Sequence, residues 1–388
     1  MSKQILIILL SLILITSCEN QNKAQQIVNK NNVINNRKRV VAYVNSWQNN
    51  WGDNYEKAKQ ITHINYAFAN IKDGKVVEGN ENDEKVLKKL NNLKEVNRNL
   101  KILISVGGWS WSKNFSDAVL TEESREIFAN SAIAFIMKHK INGIDLDWEY
   151  PGQLGDNNKY RAEDKENFTA VLKLLRDKLD VLSNESNKYL LTIATGADPN
   201  YLEHTNMKEA HQYLDFINIM TYDFYTGGSS KTGHHSNLFQ SDFNMNSRVN
   251  VDYAVKVHFR AGIPIEKIVL GVPFYGRWWN KTIPKNNGLY QNSKGEKGSI
   301  DYKSIADSIK NKSFVSFWDD KAKAPYIWRE KDSLFLTYEN PKSLKIKVDF
   351  IKNKKMGGVM FWQFNGDNGE LLNTISTNLN KKEYIKLN

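Results

Sequence analysis

The chain has 388 residues, with 54 Lys plus Arg against 43 Asp plus Glu, one Cys and ten Trp. A hydrophobic share of 40% and a charged share of 25% describe a globular chain, and a single Cys excludes a disulfide framework, a Cys-rich zinc site and an iron–sulfur cluster. The net charge of +11 admits nucleic acid or an anionic surface as partner, but Lys and Asn are scattered without dense basic runs. The charge therefore reads first as a soluble basic surface, with no nucleic-acid partner.

The chain opens with Met1–Cys18, MSKQILIILLSLILITSC, in which Lys3 precedes an apolar run over Ile5–Ile15 broken only by Ser11. That run is shorter than the ~20 residues of a membrane span and has the length of a signal-peptide core. Ile15-Thr16-Ser17-Cys18 resembles a bacterial lipobox, in which small residues precede a Cys that is lipidated and becomes the mature N-terminus. Residues 1–17 are accordingly expected to be a lipoprotein signal peptide and Cys18 a lipid attachment point. The stretch 18–38, rich in Asn, Gln and Lys, is expected to be a flexible tether. This places the protein outside the cytoplasm, anchored to a membrane on the periplasmic side or at the cell surface; a plain secretory signal and a secreted protein are the alternative.

From Val40 onward, short apolar runs alternate with helical patterns. The strand candidates are Val40–Asn45, Ile61–Phe68, Lys101–Val106, Gly143–Glu149, Leu190–Thr195, Phe216–Tyr222, Ile268–Tyr275 and Gly358–Phe364. Between them, Val86, Leu87, Leu90, Leu93 and Val96 share helical spacing, as do Ile127, Phe128, Ala132, Phe135 and Ile136. A third set runs through Phe168, Val171, Leu172, Leu175, Leu179 and Leu182. Eight strands alternating with helices predict an α/β fold of the (β/α)8 TIM-barrel type. An open doubly wound sheet is disfavoured, because Asn45-Ser46-Trp47 after the first strand is no Gly-rich phosphate turn. Too many residues separate Tyr275 from Gly358 for one helix, and Phe314–Trp318, Tyr326–Trp328 and Leu334–Tyr338 read as strands. The predicted organisation is a barrel over 39–276 and 341–380 with a small α+β insertion over 277–340, and with the eighth barrel helix near Lys342–Lys352.

The segment Asn142-Gly143-Ile144-Asp145-Leu146-Asp147-Trp148-Glu149-Tyr150-Pro151 carries the most chemistry. On a strand, alternate side chains share a face, so Asp145, Asp147 and Glu149 point one way at intervals of ~7 Å and Ile144, Leu146 and Trp148 the other. Three acids inside a barrel are costly unless they share protons or hydrogen bonds. Taken alone, the triplet fits catalysis, a divalent-metal site or an exposed acidic face.

The whole stretch resembles the DGIDLDWEYP signature of family 18 glycoside hydrolases, the chitinase family, departing only at Asn142. Further segments resemble the family in the same order: Ser105–Trp109 its SxGG, Met220–Asp223 its MTYD, Thr232–Ser236 its TGHxS turn, Gly271–Arg277 its seventh strand and Gly357–Trp362 its eighth. The resemblance covers about Val40 to Asp367. It implies a chitinase that cleaves β-1,4 linkages of N-acetylglucosamine with retention, by the substrate-assisted route in which the 2-acetamido oxygen is the nucleophile. It implies Glu149 as general acid and base, with a pKa raised by burial and by Asp147. Asp147 would stabilise the acetamide, Asp145 would share a proton with Asp147, and Tyr222 would orient the acetamide carbonyl. Trp362 is implied under the sugar beside the cleaved bond, with Met220, Asp223, Tyr275 and Arg277 around it. Tyr43, Trp47, Phe68 and Trp109 are further sugar-contact positions, of which Tyr43, Phe68 and Met220 could equally be core. Ser105, Gly107 and Gly108 are expected to shape the backbone near the acids.

One departure matters. Many relatives carry a Trp soon after MTYD on the leaving-group side, and here the stretch is Phe224-Tyr225-Thr226-Gly227-Gly228. Trp278, Trp279, Trp318 or Trp328 are the candidate substitutes. His234, His235 and His258 suggest no metal site, and no cofactor is implied. The expected partner is chitin or a chitooligosaccharide, met by a monomer. The alternatives are an endo-β-N-acetylglucosaminidase acting on N-glycans, which commonly lacks the insertion, and a chitin-binding lectin, which usually lacks the acid.

Overall fold

The computed structural model describes residues 38–47, 55–245 and 248–380. The expected signal peptide, Cys18 and all of the expected tether except Lys38 lie outside the described residues.

Eight parallel strands close on themselves. They are β1 (Arg39–Asn45), β2 (His63–Lys72), β4 (Lys101–Gly107), β5 (Gly143–Asp147), β6 (Leu190–Thr195), β7 (Phe216–Ile219), β8 (Ile268–Pro273) and β14 (Gly358–Trp362). Their order is β1-β14-β8-β7-β6-β5-β4-β2, and β2 pairs back with β1, from Val41 beside His63 to Asn45 beside Ala67. This is a (β/α)8 barrel. Each strand is covered on both faces, which is why β1 reads Arg-Val-Val-Ala-Tyr-Val-Asn with no polar alternation. Val40, Ala42 and Val44 pack outward in the helix-facing core. Val41 and Tyr43 pack inward with Ala67, Phe216, Val269 and Met360.

The outer layer includes helices Asp83–Asn92, Glu122–His139 and Asp164–Leu182, each burying the predicted apolar face. Thr121 caps the second by a reciprocal pair of hydrogen bonds with Ser124. Two residues depart from the periodic reading. Val96 is 38% exposed, because the helix ends at Asn92 and a tighter turn over Leu93–Glu95 rotates it outward. Ile127 is 40% exposed, one position and hence ~100° off the face that Phe128 and Ala132 bury.

A short strand β3 (Lys75–Val77) folds back on the end of β2, a hairpin the alternation did not signal. After β8 comes a five-stranded antiparallel sheet. It contains β9 (Tyr275–Trp279), β10 (Lys297–Asp301), β11 (Ser316–Asp319), β12 (Ala324–Arg329) and β13 (Leu334–Thr337), with a helix at Tyr302–Lys310. Two of these strands, β9 and β10, were not read from the sequence. The apolar run of β8 continues into β9 past Pro273 without a polar break, so the sequence shows one strand where the chain makes two. The helix expected to be the eighth, Pro341–Asn353, leads into β14 and so precedes the eighth strand; the last barrel helix is Glu370–Leu379, which follows it.

Candidate active site

The acid row forms at the C-terminal end of β5. Register sets Ser105 beside Asp145 and Asp145 beside Thr192, so one polar layer crosses three strands in the barrel interior. Asp145 is fully buried and accepts four hydrogen bonds. Tyr43 Oη and Ser105 Oγ donate to Oδ2 at 2.6 and 2.8 Å, and Thr192 Oγ1 and Asn218 Nδ2 donate to Oδ1 at 2.5 and 3.4 Å. These donors occupy both oxygens, and no hydrogen bond joins Asp145 to Asp147 among the described residues. Hydroxyls of Tyr43, Ser105 and Thr192 form a cradle around Asp145. The hydroxyls of the neighbouring strands lie in its own layer and satisfy it first.

Asp147 sits one layer higher and is buried, and its Oδ1 has no hydrogen-bond partner within the protein. Burial pushes its pKa well up, and the nearby Glu149 and Asp145 carboxyls push it further. Glu149 lies two residues past Asp147, just beyond the strand. Burial raises its carboxyl from 4.5 to about 7; a hydrogen bond from Tyr150 opposes the shift and the Asp223 charge adds to it. Two features hold the turn in place. Ser112 Oγ accepts from the Glu149 amide at 2.9 Å and lies 3.1 Å from the Asp147 carbonyl. Gly107, at φ +104°, passes so close that a Cβ there would stand 2.4 Å from the same carbonyl oxygen. Trp148 points the other way and stacks on Phe115 at 5.0 Å.

Aromatic rings surround the acids. Trp362, at the end of β14, stacks on Phe68 at 5.5 Å and lies 5.9 Å from Tyr43 and 6.4 Å from Trp47. Trp47 and Trp109 are 59% and 53% exposed, too open to be core residues. Tyr43 is buried and holds Asp145, while Phe68 and Met220 are half-buried against the inner core. Arg277 grips Asp223 with Nε on Oδ1 at 2.8 Å and Nη2 on Oδ2 at 2.5 Å. Burial would raise the Asp223 carboxyl, but His235 and Arg277 hold it well below the usual range. Burial, followed by the surrounding carboxyls, pushes the Tyr222 hydroxyl well up, so it stays a proton donor. Of the predicted site residues that are described, all but Asp145 line a single cleft of about 1270 Å³; Asp145 lies beneath it.

Sequence reading missed several lining residues. Tyr150 follows Glu149 directly and hydrogen-bonds it, a signal available within the motif itself. Arg248 enters from the loop before helix Val251–Arg260, Tyr253 from its first turn and Asp301 from β10, with nothing in their spacing to announce them. The proposed Trp substitutes do not line the cleft. Trp279 and Trp328 are buried in the insertion core with Leu289 and Phe335, and Trp278 packs against the main core. Trp318 lies under the Lys342 ammonium at 3.7 Å. Phe224, Thr226 and Tyr253 form the cleft wall after the Met220–Asp223 segment instead.

The buried histidines have protein partners. His234 meets Asp319 at 3.2 Å, His235 meets Asp223 at 3.5 Å, and His258 bonds the Ala254 carbonyl at 2.8 Å. Among the described residues, no group of three or more His, Cys, Asp or Glu is placed to hold a metal ion.

The buried acid row lies at the strand C-termini beneath an aromatic cleft, the end of the barrel where barrel enzymes carry their active sites. The chain belongs to the glycosyl hydrolases family 18, whose sequence profile matches residues 39–367. It is 36% identical over 400 residues to chitinase A1 of Niallia circulans, covering 86% of this chain and 57% of that protein. It thus spans little more than half of that relative's length. Among solved structures, it resembles a family 18 N-acetylglucosaminidase from Paenibacillus barengoltzii, with TM-score 0.81 and 37% identity, covering 88% of this chain and all of that one. Chitinase ChiA74 from Bacillus thuringiensis aligns with TM-score 0.82 and 32% identity, covering 88% of this chain and 70% of that one.

Proposed function

We propose that the chain hydrolyses β-1,4-linked N-acetylglucosamine in chitin or chitooligosaccharides, with retention, using the substrate's acetamide as nucleophile. The observation that carries this reading is the pairing of a buried Glu149, raised to about 7, with an Asp147 whose Oδ1 is buried and unpartnered. A buried orphan acceptor is costly unless a ligand donor reaches it, and an acetamide N–H is such a donor. The protonated Glu149 gives its proton to the glycosidic oxygen as the C–O bond breaks. The acetamide oxygen attacks the anomeric carbon, gaining from being already held in place. Asp147 takes the N–H hydrogen bond and offsets the positive charge of the oxazolinium ion. The Tyr222 hydroxyl holds the acetamide oxygen, and Trp362 floors the reacting sugar. Glu149, now ionised, then takes a proton from the water that opens the ring and so returns to its starting state. The family membership and the chitinases among the relatives support the substrate class. The acids, rings and walls all come from one chain, so the reading needs no residue from a partner subunit.

The test is anomer-resolved product analysis on chitooligosaccharides, crystalline chitin and an N-glycoprotein. The expected first product is the β-anomer from the oligosaccharides and chitin, with the N-glycoprotein left intact. Initial release of the α-anomer overturns the retaining mechanism, and release from the glycoprotein alone overturns the substrate.

We further infer, from residues 1–38 alone, that the enzyme is exported and acylated at Cys18, and that the tether holds the barrel at a membrane. Labelled palmitate is expected to enter the full-length protein and not its Cys18→Ala variant. Equal labelling of both, or of neither, excludes the anchor.

A further inference from the structure

Lys347, on helix Pro341–Asn353, is buried on the outer side of the barrel and takes no part in the chemistry above. Burying an ammonium is unfavourable unless its donors are used. Here one goes to Glu339 Oε1, one to the Ser236 carbonyl at 2.5 Å and one to Ser236 Oγ at 2.8 Å. Glu339 is itself held by Ser343 Oγ at 2.6 Å. The Ser236 hydroxyl passes the chain on, donating to the Thr221 carbonyl at 2.9 Å. That carbonyl belongs to the peptide bond leading into Tyr222. Further contacts hold the residues on either side of Tyr222. The His235 carbonyl accepts from the Phe224 amide at 3.2 Å, and the His235 ring faces Asp223. Thr221 Oγ1 is tied to the Gly271 carbonyl at 2.6 Å.

A buried ion pair adds little net stability over a well-packed apolar replacement; its use lies in fixing one arrangement. We propose that Lys347 is a positioning residue which, through Glu339 and Ser236, fixes the Thr221–Tyr222 peptide and so aims the Tyr222 hydroxyl into the cleft. This rests on the functional reading above. The network ends on one peptide, so its effect on turnover must pass through Tyr222. A clip that only holds the fold together would not show that dependence.

The test is a double-mutant cycle on chitotetraose hydrolysis, with Ser236→Ala made in the wild-type and in the Tyr222→Phe backgrounds. Ser236→Ala keeps the Lys347–Glu339 pair, so the protein folds, which its melting curve verifies. In the wild-type background kcat is expected to fall about fivefold to tenfold with KM changed less than about twofold. With Tyr222 already replaced by Phe, the same change is expected to cost less than about twofold. Lys347→Met, where it folds, should repeat the pattern. Equal losses in both backgrounds, or no loss of kcat in the wild type, overturn the positioning role. A wild-type protein inactive on every chitooligosaccharide overturns the functional reading instead.

Discussion

Replacing Glu149 by Gln is expected to lower kcat on chitooligosaccharides by about 10³-fold while binding persists, since a positioned general acid contributes about 10²- to 10⁴-fold. The amide keeps the size of the carboxyl and loses only the proton. Steady-state turnover together with calorimetric titration of chitotetraose checks both halves, and turnover within about threefold of wild type sinks the assignment. The same substitution carries a stability signature. Burial raises the Glu149 carboxyl from 4.5 to about 7 in the folded chain. Below pH 4.5 it is protonated in both folded and unfolded chains, and Gln changes little. As the pH rises towards about 7, the unfolded chain gives up this proton and the folded one keeps it, so the wild type loses stability that the Gln variant retains. Above about 7 the gap levels off, at roughly 3 kcal/mol from ~1.4 kcal/mol per pH unit. Glu149→Gln should therefore melt higher than wild type near pH 8 and alongside it near pH 4. Equal melting curves at both values would mean that the carboxyl is not desolvated. Wild-type activity should fall through the same region near 7, where the acid loses its proton.

The barrel was legible because a fully covered parallel strand must be apolar on both faces. Val40–Asn45 and Leu190–Thr195 therefore stand out from the polar helix starts that flank them. The acid row was legible for the opposite reason: Asp145 and Asp147 are the wrong chemistry for such a strand, and their spacing of two places them on one face. What the spacing could not show was depth. Asp145 lies in the layer of Ser105 and Thr192 and is satisfied by them, while Asp147 is left for the cleft. That difference depends on register between strands distant in sequence. The cleft walls were hidden for a related reason. Tyr253 sits in the first turn of a helix whose apolar spacing is explained by Val251, Ala254 and Val255, so nothing in its pattern demands a second role. The Trp pairs misled in the other direction. Trp279 and Trp328 are aromatic for the sake of a small antiparallel sheet that must build its own core.

Asp147→Asn is expected to be nearly as damaging as loss of the acid, with kcat lower by about 10²- to 10³-fold and KM within about threefold of wild type. The split follows from when the charge develops. In the ground state the acetamide is neutral, and an Asn oxygen accepts its N–H almost as well as a carboxylate does. In the transition state the nitrogen shares the positive charge of the forming oxazolinium ion, and only a carboxylate balances it in so dry a place. The loss therefore falls on kcat. Initial-rate kinetics on chitotetraose, with added azide as a second arm, check the argument. If Asp147 were instead the nucleophile of a two-carboxylate mechanism, azide would take its place in the variant and restore turnover as a glycosyl azide. With the substrate's own acetamide as nucleophile, azide restores nothing. A variant rescued by azide would assign the nucleophile to the protein. A variant with unchanged kcat would place the stabilising charge on another group, and Asp145, satisfied by four donors below the cleft, is not free to supply it.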